Sequence, residues 1–304
     1  MINLFFGGNM TETKTLGFIG LGVMGLPMAQ NLSQKHPGLL VFDADKGRSL
    51  PPGNAQAAED IPSLAARADI VFLCLPTSAV VREVVLGADG IAGRLKKGSV
   101  VVDTSTTEVA VVKKLAAELA EQGIGFIDAP VSGGEKAAIA GTLSFMIGAK
   151  QEAFEETKEY FHAMGASVVR MGDIGAGQIA KAVNQMIVGA AFAVIAESFA
   201  MGAKSGLDPK TLYDAIKGGW AGSKVLDVAA NDMFSREFKP GGTVDILWKD
   251  LGYALGLSKE IDVPAPVTAI VHEVFKASRA HGDGKQSQPA LVRLWESLLN
   301  IEVS

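Results

Sequence analysis

Residues 175–204 read GAGQIAKAVNQMIVGAAFAVIAESFAMGAK, a run of good helix formers without proline. A helix of about 28 residues would be roughly 42 Å long, which exceeds most helices of globular domains. The run is apolar on nearly all sides from residue 187 to residue 196, so we expect burial along much of its length. Lys181, Asn184 and Gln185 interrupt it near the start, and their spacing places all three side chains on one helical face. Taken alone, this lysine is better explained as a surface residue whose apolar stem lies along the helix.

The chain before this helix alternates between two kinds of segment. Short apolar runs, which predict buried parallel strands, are separated by helix-like segments. The strand candidates are TLGFIG (15–20), LLVFD (39–43), IVFLCL (70–75), SVVVD (99–103), GFIDA (125–129), LSFMIG (143–148) and ASVVRM (166–171). Strands that alternate with helices indicate a doubly wound α/β sheet.

After about Gly172 this alternation stops and only helical patterns follow. One helix is expected to start at Asp208-Pro209, because Asp caps helix starts and Pro suits the first turn. The other predicted helices cover 223–234, 245–260, 265–281 and 289–300. The resulting domain prediction is a loose extension at 1–13, an α/β domain at 14–174 and an all-α domain at 175–304, joined by the long central helix.

The composition fits a globular enzyme with two hydrophobic cores, since the 304 residues are 48% hydrophobic and 20% charged. A net charge of −5 without a basic cluster argues against nucleic-acid binding. The single cysteine, Cys74, excludes an internal disulfide framework, and the four histidines show no metal-ligand spacing, so we expect no metal site. The first residues lack the features of a signal peptide, and the polar residues of the long helix argue against a membrane span. We expect a cytoplasmic protein with no membrane partner.

The first motif with chemical content is Gly20-Leu21-Gly22-Val23-Met24-Gly25. A GxGxxG pattern is weak alone, but here it follows a strand and opens a helix near the start of the alternating pattern. Its glycines allow a tight turn and a close approach of the backbone to a pyrophosphate, while the helix N-terminus adds partial positive charge. The alternative is a glycine-rich turn without a ligand. The context favours a dinucleotide-binding loop.

Asp43 ends the second strand, 18 residues after Gly25. A carboxylate at this place would accept hydrogen bonds from the ribose hydroxyls of NAD and repel the 2′-phosphate of NADP. Lys46 and Arg48 follow closely and weaken this preference, so NAD is expected and use of NADP stays open. The alternative for Asp43 is a solvated residue at a strand end.

Small polar residues follow three later strands. CLPTS (74–78) and DTSTTE (103–108) lie at the carboxyl ends of strands, the edge at which open α/β sheets bind ligands. Their hydroxyls can instead cap the next helix, a role open to Thr106 and Thr107. In DAPVSGG (128–134), the turn Ser132-Gly133-Gly134 exposes backbone N–H groups that suit a carboxylate, unless it is a plain glycine turn.

Together these segments resemble one enzyme family. GFIGLGVMGLPMAQNL, CLPTS, DTSTTE, DAPVSGG, GAGQIAKAVNQ and WKDLGYAL follow one another in the order and spacing of the β-hydroxyacid dehydrogenases. That family includes 3-hydroxyisobutyrate dehydrogenases and 2-hydroxy-3-oxopropionate (tartronate semialdehyde) reductases. The resemblance covers almost the whole chain from Thr15. It implies a Rossmann domain with a mostly parallel sheet, then an all-helical domain, and hydride transfer between NAD, or NADP, and a small hydroxy acid.

The resemblance also implies roles for individual residues. Lys181 is the expected catalytic acid–base, and the expected substrate-binding residues are Ser132, Gly133, Gly134, Asn184 and Gln185. Cofactor contacts are expected from Gly20, Leu21, Gly22, Val23, Met24, Gly25, Asp43, Leu75, Pro76, Thr106 and Lys249. Trp220 and Ser223 fall in the variable segment that shapes the pocket.

One alternative remains for the substrate and one for the class of protein. One lysine beside a carboxylate-binding turn fits a small 3-hydroxy acid or its semialdehyde, of the tartronate semialdehyde reductase or 3-hydroxyisobutyrate dehydrogenase type. A more hydroxylated acid such as threonate is the alternative substrate, and a non-catalytic NAD-binding scaffold is the alternative class. The apolar C-terminal helices exceed what their domain needs internally, so we expect a homodimer or homotetramer.

Overall fold

A computed structural model describes residues 14–48, 53–239 and 241–304 of the chain. The loose extension predicted for residues 1–13 lies outside the described residues. The chain divides into two units, and the division falls between Lys181 and Ala182, inside one helix. The domain boundary predicted at 174/175 stays a prediction.

The first unit is built on one sheet. Its strands are β1 (Leu16–Ile19), β2 (Leu40–Phe42), β3 (Gln56–Ala57), β4 (Ile70–Leu73), β5 (Val100–Asp103), β6 (Gly125–Asp128), β7 (Val131–Ser132), β8 (Leu143–Gly148) and β9 (Gly165–Gly172). Their order is β3-β2-β1-β4-β5-β6-β8-β7, and β9 pairs with β8. The pairs among β1 to β6 are parallel, whereas β8 pairs antiparallel with β6 and β7. This is the doubly wound, mostly parallel Rossmann sheet that the sequence predicts.

The predicted strands all form, with two differences in detail. β3 and β7 were not predicted, because two residues are too few to produce a periodic signal. β8 was predicted as one more parallel strand, which is wrong for its pairs with β6 and β7. An apolar strand buried on both faces has the same sequence pattern in either direction, so its orientation is invisible in the sequence.

The sheet is covered on both faces, as the apolar runs require. Ile70 and Phe72 of β4 pack into one hydrophobic core, and the alternate residues Val71 and Leu73 pack into a second core on the opposite face. Successive side chains of a strand point to opposite faces, so only a run that is apolar throughout can serve two cores. Open parallel sheets of this kind bind ligands at the carboxyl ends of their strands.

Helices connect the strands and form the second unit. They are α1 (Gly25–Lys35), α2 (Ile61–Arg67), α3 (Ser78–Leu86), α4 (Val109–Glu121), α5 (Gly134–Ala140), α6 (Gln151–Met164), α7 (Ala176–Lys204), α8 (Pro209–Ile216), α9 (Lys224–Ser235), α10 (Val244–Glu260), α11 (Pro266–Ser278) and α12 (Leu291–Leu299). The predicted cap of α8 is confirmed, since the Asp208 carboxylate accepts the N–H of Thr211. The helix predicted at 265–281 is α-helical as far as Ser278 and continues as the π-helical turn Arg279–Asp283, in which Gly282 departs from helical geometry.

α7 is the long helix of 29 residues that the sequence predicts, but its burial differs from the prediction. Only 39% of its most apolar 18-residue window is buried within the chain. Val183, Ile187, Val194 and Met201 are between 52% and 68% exposed. The expectation of burial along much of its length is therefore wrong for the single chain. By length and composition alone α7 could also cross a membrane, a test that core helices of soluble proteins pass as well.

Candidate active site

The glycine-rich loop joins β1 to α1 and leaves no room for side chains at two positions. Gly20 has a φ of +99°, and a Cβ there would lie 2.3 Å from the carbonyl oxygen of Cys74. A Cβ at Gly25 would lie 1.9 Å from the carbonyl oxygen of Gly20. Within the described residues, no side chain caps α1 and its first turn holds no acidic residue. A tight loop that ends at an uncapped helix start fits the pyrophosphate of a dinucleotide.

Asp43 follows β2 directly and lies against this loop. Its Oδ2 accepts the N–H of Leu21 at 2.6 Å, and its Oδ1 accepts the N–H of Asp45 at 2.8 Å. Arg48 Nη1 lies 3.3 Å from Oδ2, and a Cβ at Gly22 would lie 3.1 Å from the same Nη1. The Asp43 carboxylate thus fixes the loop, and the Arg48 guanidinium lies close to both Asp43 and Gly22. The sequence did not predict this ion pair.

The strand-end residues Leu75, Pro76 and Thr106 lie in the loops that follow β4 and β5. The N–H of Leu75 donates to Ser105 Oγ at 2.8 Å, which ties the two loops together. The three residues are half-buried or exposed, so they border the open edge of the sheet.

The alternative reading of the strand-end hydroxyls as helix caps has a mixed outcome. Thr77 caps α3 by accepting the N–H of Val80. The alternative that Thr106 or Thr107 caps the next helix is wrong, since Glu108 stands at the N-cap of α4 and no side chain of the described residues caps it. Thr107 instead donates its hydroxyl to Asp103 at 2.6 Å, because that buried carboxylate lies within its reach at the end of β5.

The turn Ser132-Gly133-Gly134 leads from β7 into α5. Gly133 has a φ of +134° and Gly134 a φ of +71°, values that side chains strongly disfavour. A Cβ at Gly133 would also lie 2.6 Å from the Cβ of Ala137. Ser132 is half-buried and both glycines are exposed, so the backbone of this turn is open to a ligand. Successive residues of this geometry suit an anion such as a carboxylate.

Lys181 lies on the second turn of α7 and is only 8% exposed. Its Nζ donates to the carbonyl oxygen of Val131 at 2.9 Å. Val131 directly precedes Ser132, so the first unit brings the ammonium group close to the turn Ser132-Gly133-Gly134. A surface lysine that follows the helix towards solvent would be exposed, so the single-helix interpretation is wrong here.

In the second unit, Gln185 and Lys249 both contact the carboxylate of Asp250, and Asn184 is joined to them through Gln185. Asn184 Nδ2 donates to Gln185 Oε1 at 2.8 Å, and Gln185 Nε2 donates to Asp250 Oδ2 at 2.6 Å. Lys249 Nζ forms an ion pair with Asp250 Oδ1 at 3.2 Å. Asp250 is 2% exposed. Asp250 stands within the motif WKDLGYAL, and its place directly after Lys249 was the signal available in the sequence.

Two buried polar residues of the first unit were also missed. Asp128, at the end of β6, accepts the N–H groups of Gly175 and Gln178 at the start of α7. Burial raises the pKa of Asp128 to about 6. The Gln178 side chain accepts the N–H of Thr107 and donates to the carbonyl oxygen of Ser105. The described residues contain no group of three or more His, Cys, Asp or Glu side chains arranged to hold a metal ion.

Two family models match this chain almost end to end. The NAD binding domain of 6-phosphogluconate dehydrogenase matches residues 15–172, and the NAD-binding domain of NADP-dependent 3-hydroxyisobutyrate dehydrogenase matches residues 175–295. The chain belongs to the β-hydroxyacid dehydrogenase family. It is an NAD(P)-dependent hydroxyacid dehydrogenase with the Rossmann and helical domains of that family.

Individual members agree with this assignment. The 2-(hydroxymethyl)glutarate dehydrogenase of Eubacterium barkeri is 38% identical over 97% of this chain and 99% of its own. The 2-hydroxy-3-oxopropionate reductase of Escherichia coli is 36% identical over 94% of this chain and 98% of its own. The crystal structure of a 3-hydroxyisobutyrate dehydrogenase from Salmonella typhimurium superposes with a TM-score of 0.83 at 27% identity, covering 92% of this chain and 99% of that one.

The packing of the glycine-rich loop predicts the effect of Gly25→Ala. The added methyl group would collide with the Gly20 carbonyl and push α1 away from the loop. Overpacking of this kind costs about 1–3 kcal/mol, so we expect the Kd for NADH to rise roughly tenfold or more. Fluorescence titration of NADH measures this. Gly93→Ala is the control, because a Cβ at Gly93 meets no atom within 4 Å. Unchanged NADH affinity in Gly25→Ala would contradict this assignment of the loop.

Proposed function

We propose that this dehydrogenase transfers a hydride between NAD and a small 3-hydroxy acid or its semialdehyde, with Lys181 as the general acid–base. The observation that carries the proposal is the hydrogen bond from Lys181 Nζ to the carbonyl oxygen of Val131 at 2.9 Å. It places the ammonium group beside Ser132, Gly133 and Gly134, the turn to which we assign the substrate carboxylate.

The roles of these residues follow from the charges that the reaction creates. A cofactor bound at the glycine-rich loop would supply the hydride acceptor for oxidation and the hydride donor for reduction. Neutral Lys181 accepts the hydroxyl proton when the alcohol is oxidised, and the ammonium form returns a proton to oxygen when the aldehyde is reduced. The Ser132 turn holds the carboxylate, which keeps the reacting carbon next to the lysine.

The remaining assignments rest on the family motifs and on the contacts within each unit. We assign Asn184 and Gln185 to the substrate, and their bonds to each other and to Asp250 would fix the orientation of both amides. We assign the cofactor to Gly20, Leu21, Gly22, Val23, Met24, Gly25, Asp43, Leu75, Pro76, Thr106 and Lys249.

The substrates named for the similar enzymes support a common chemical core. 3-Hydroxyisobutyrate, 2-(hydroxymethyl)glutarate and the glycerate formed from 2-hydroxy-3-oxopropionate all have the form HOCH2–CH(R)–COO−, with R a methyl, carboxyethyl or hydroxyl group. One carboxylate and one β-hydroxyl are the groups that a Ser-Gly-Gly turn and a lysine can bind. We propose this core for the substrate, of the tartronate semialdehyde reductase or 3-hydroxyisobutyrate dehydrogenase type.

The proposed role of Lys181 predicts a specific kinetic defect. Lys181→Ala removes the proton donor and acceptor, so kcat falls by roughly 10²- to 10⁴-fold, the usual contribution of general acid–base catalysis. The Kd for NADH and the melting temperature stay unchanged, because neither depends on proton transfer. Steady-state kinetics and NADH titration of Lys181→Ala measure these values, with the exposed Lys114→Ala as the matched control. Turnover near that of the wild type would refute the assignment.

We further propose that NAD is preferred over NADP because the Asp43 carboxylate repels a 2′-phosphate. Asp43→Asn keeps an acceptor for the loop but removes the charge, which at about 4 Å is worth roughly 1–4 kcal/mol. The ratio of kcat/KM with NADP to kcat/KM with NAD is expected to rise about tenfold. Arg48→Gln should lower the same ratio, since it removes the cation beside Asp43. Asp89→Asn, at an exposed carboxylate that follows α3, is the control. An unchanged ratio in Asp43→Asn would disprove this basis of selectivity.

We propose a cytoplasmic homodimer or homotetramer in which a second copy covers the exposed face of α7. Val183, Ile187, Val194 and Met201 recur at intervals of four or seven residues, so they form one apolar stripe. On the buried side of the same helix, Gln185 bonds to Asp250, which is the environment of a helix packed in protein. A second copy is therefore a better cover than lipid.

This assembly predicts a loss of association when the stripe is charged. Wild-type protein should sediment without detergent as a dimer or tetramer at micromolar concentration. Ile187→Lys should shift it towards the monomer, because a buried unpaired ammonium is strongly unfavourable. Ile139→Lys, at a residue that is 62% exposed and outside α7, is the control. A stable wild-type monomer in sedimentation velocity would rule out the assembly.

A further inference from the structure

Asp128 is a buried carboxylate that the mechanism above does not use. It ends β6 and its exposed fraction is 0%. The like charge of Asp103 acts on it and raises its pKa, while the Cε of Lys113 would lie 3.4 Å from a Cβ at Gly175, the residue whose N–H Asp128 accepts. Burying an ion costs several kcal/mol unless hydrogen bonds replace its hydration. Asp128 can therefore remain buried as an ion only if strong hydrogen-bond donors contact its carboxylate.

The donors come from the start of α7. Asp128 Oδ1 accepts the N–H of Gly175 at 2.6 Å, and Oδ2 accepts the N–H of Gln178 at 2.9 Å. The first N–H groups of a helix have no partner within the helix, and together they carry partial positive charge. Asp128 thus caps α7 from a strand that lies 47 residues before Gly175 in the chain.

Two glycines make room for this contact. A Cβ at Gly148 would lie 2.2 Å from Asp128 Oδ1, and a Cβ at Gly177 would lie 2.8 Å from Oδ2. The same Cβ at Gly177 would lie 2.4 Å from the carbonyl oxygen of Met146. Both strand β8 and helix α7 therefore approach the carboxylate as closely as a backbone without side chains permits.

The segment that carries Asp128 also reaches Lys181. Val131 lies three residues after Asp128, and its carbonyl oxygen accepts the Lys181 hydrogen bond at 2.9 Å. Lys181 in turn lies three residues after Gln178, which is less than one helical turn. The segment 128–131 thus contacts α7 at two neighbouring points, one on the backbone and one at the lysine.

We propose that Asp128 is a positioning residue for Lys181. By capping α7 it sets the axial position and rotation of the first helical turn, and thereby the place of Lys181 Nζ beside the Ser132 turn. This inference rests on the proposed role of Lys181 as the acid–base.

A second attachment keeps α7 in the first unit when Asp128 changes. Gln178 Oε1 accepts the N–H of Thr107 at 3.0 Å, and Gln178 Nε2 donates to the carbonyl oxygen of Ser105 at 2.9 Å. These bonds join α7 to the loop after β5 and do not involve Asp128. A substitution at Asp128 therefore shifts the helix start without releasing it.

The ionised form of Asp128 is the one that accepts both N–H groups, because a neutral carboxyl group has a hydroxyl on one side. Burial raises the pKa of Asp128 to about 6, and the like charge of Asp103 on β5 acts in the same direction. β8 presents the backbone of Met146 and Gly148, and the first turn of α7 presents the neutral Gln178, with Lys181 on the next turn. From α4, Lys113 packs against the start of α7, where its Cε would lie 3.4 Å from a Cβ at Gly175. The contact by which Asp128 positions the start of α7 is therefore expected to weaken as the pH falls through about 6.

Ionisation of Asp128 is expected to lower the free energy of unfolding, whereas ionisation of a carboxylate in a stabilising ion pair raises it. The pKa of Asp128 is raised above its ordinary value of 3.8, so the folded state holds the proton more tightly than the unfolded state does. Ionisation of Asp128 thus lowers the free energy of unfolding as the pH rises through the interval from about 4 to about 6. Removing this charge should not destabilise the protein at neutral pH.

Asp128→Asn tests the proposal. Asn keeps one acceptor but turns an amide N–H towards one of the two backbone donors, so the helix start moves. We expect kcat at pH 7.5 to fall roughly 10- to 100-fold, the range for a misplaced catalytic group. The melting temperature and the Kd for NADH should stay equal to or better than the wild-type values. For aldehyde reduction, in which Lys181 acts in its protonated form, the decrease of wild-type kcat below about pH 6 should be absent from the variant.

Two controls separate positioning from folding and from the proposed function. Asp69→Asn makes the same change at a carboxylate that accepts the N–H of Thr15, and it should leave kcat unchanged. Gly177→Ala displaces the start of α7 while Asp128 stays ionised. Its kcat should therefore be lower than that of the wild type and should still decrease below about pH 6.

Wild-type kcat in Asp128→Asn, while Lys181→Ala is inactive, would overturn the positioning role and leave the proposed function intact. Turnover by Lys181→Ala would instead remove the proposed function itself. A melting temperature lowered by several degrees in Asp128→Asn, with kcat lowered only in proportion to the folded fraction, would show a structural role and also overturn the proposal. If Asp128→Asn does not fold, wild-type kcat in Gly177→Ala overturns it.

Discussion

The N–H groups at the start of α7 are accepted by the buried carboxylate of Asp128, and the candidate site of the first unit depends on this contact. The first N–H groups of a helix have no acceptor within the helix. An acceptor at the end of a strand in an open sheet can bind them. Once Gly175 and Gln178 are bound there, Lys181 lies within reach of the Val131 carbonyl. The Ser132 turn follows Val131 directly, so one short segment supplies the helix cap, the lysine's acceptor and the proposed carboxylate site.

The sequence predicts the elements that have a periodic apolar pattern. It does not predict the features that depend on contacts between residues far apart in the chain. Apolar runs such as IVFLCL must serve cores on both faces of the sheet, so the parallel strands and the change to an all-helical region can be read from the pattern. The same runs hide the direction of β8, and two residues are too few to reveal β7. The cap of α8 was predictable because Asp208 and its partner Thr211 are close in the chain, whereas the cap of α7 joins residues 47 positions apart.

The candidate site shows the same division. Gly20, Asp43 and Ser132 could be named because each stands in a local motif, whereas Lys181 could be named only through the family resemblance. Asp128, Gln178 and Asp250 stood inside quoted motifs without a role, since their function is to accept or donate bonds across 47 to 73 residues of chain. The exposed stripe of α7 is a related case. Uniform apolarity predicts that a helix will be covered, but not whether its own chain or another molecule covers it.

The central claim is that a carboxylate-binding turn and one lysine act together on HOCH2–CH(R)–COO−. The most direct test is initial NADH formation from 3-hydroxyisobutyrate, glycerate and 2-(hydroxymethyl)glutarate, each compared with the neutral amide of the same carboxyl group. The account predicts oxidation of at least one acid with a kcat/KM that exceeds that of its amide by roughly 100-fold or more, because the turn is left without its anion. Equal oxidation of acid and amide, or no turnover of any of the three acids, would contradict it.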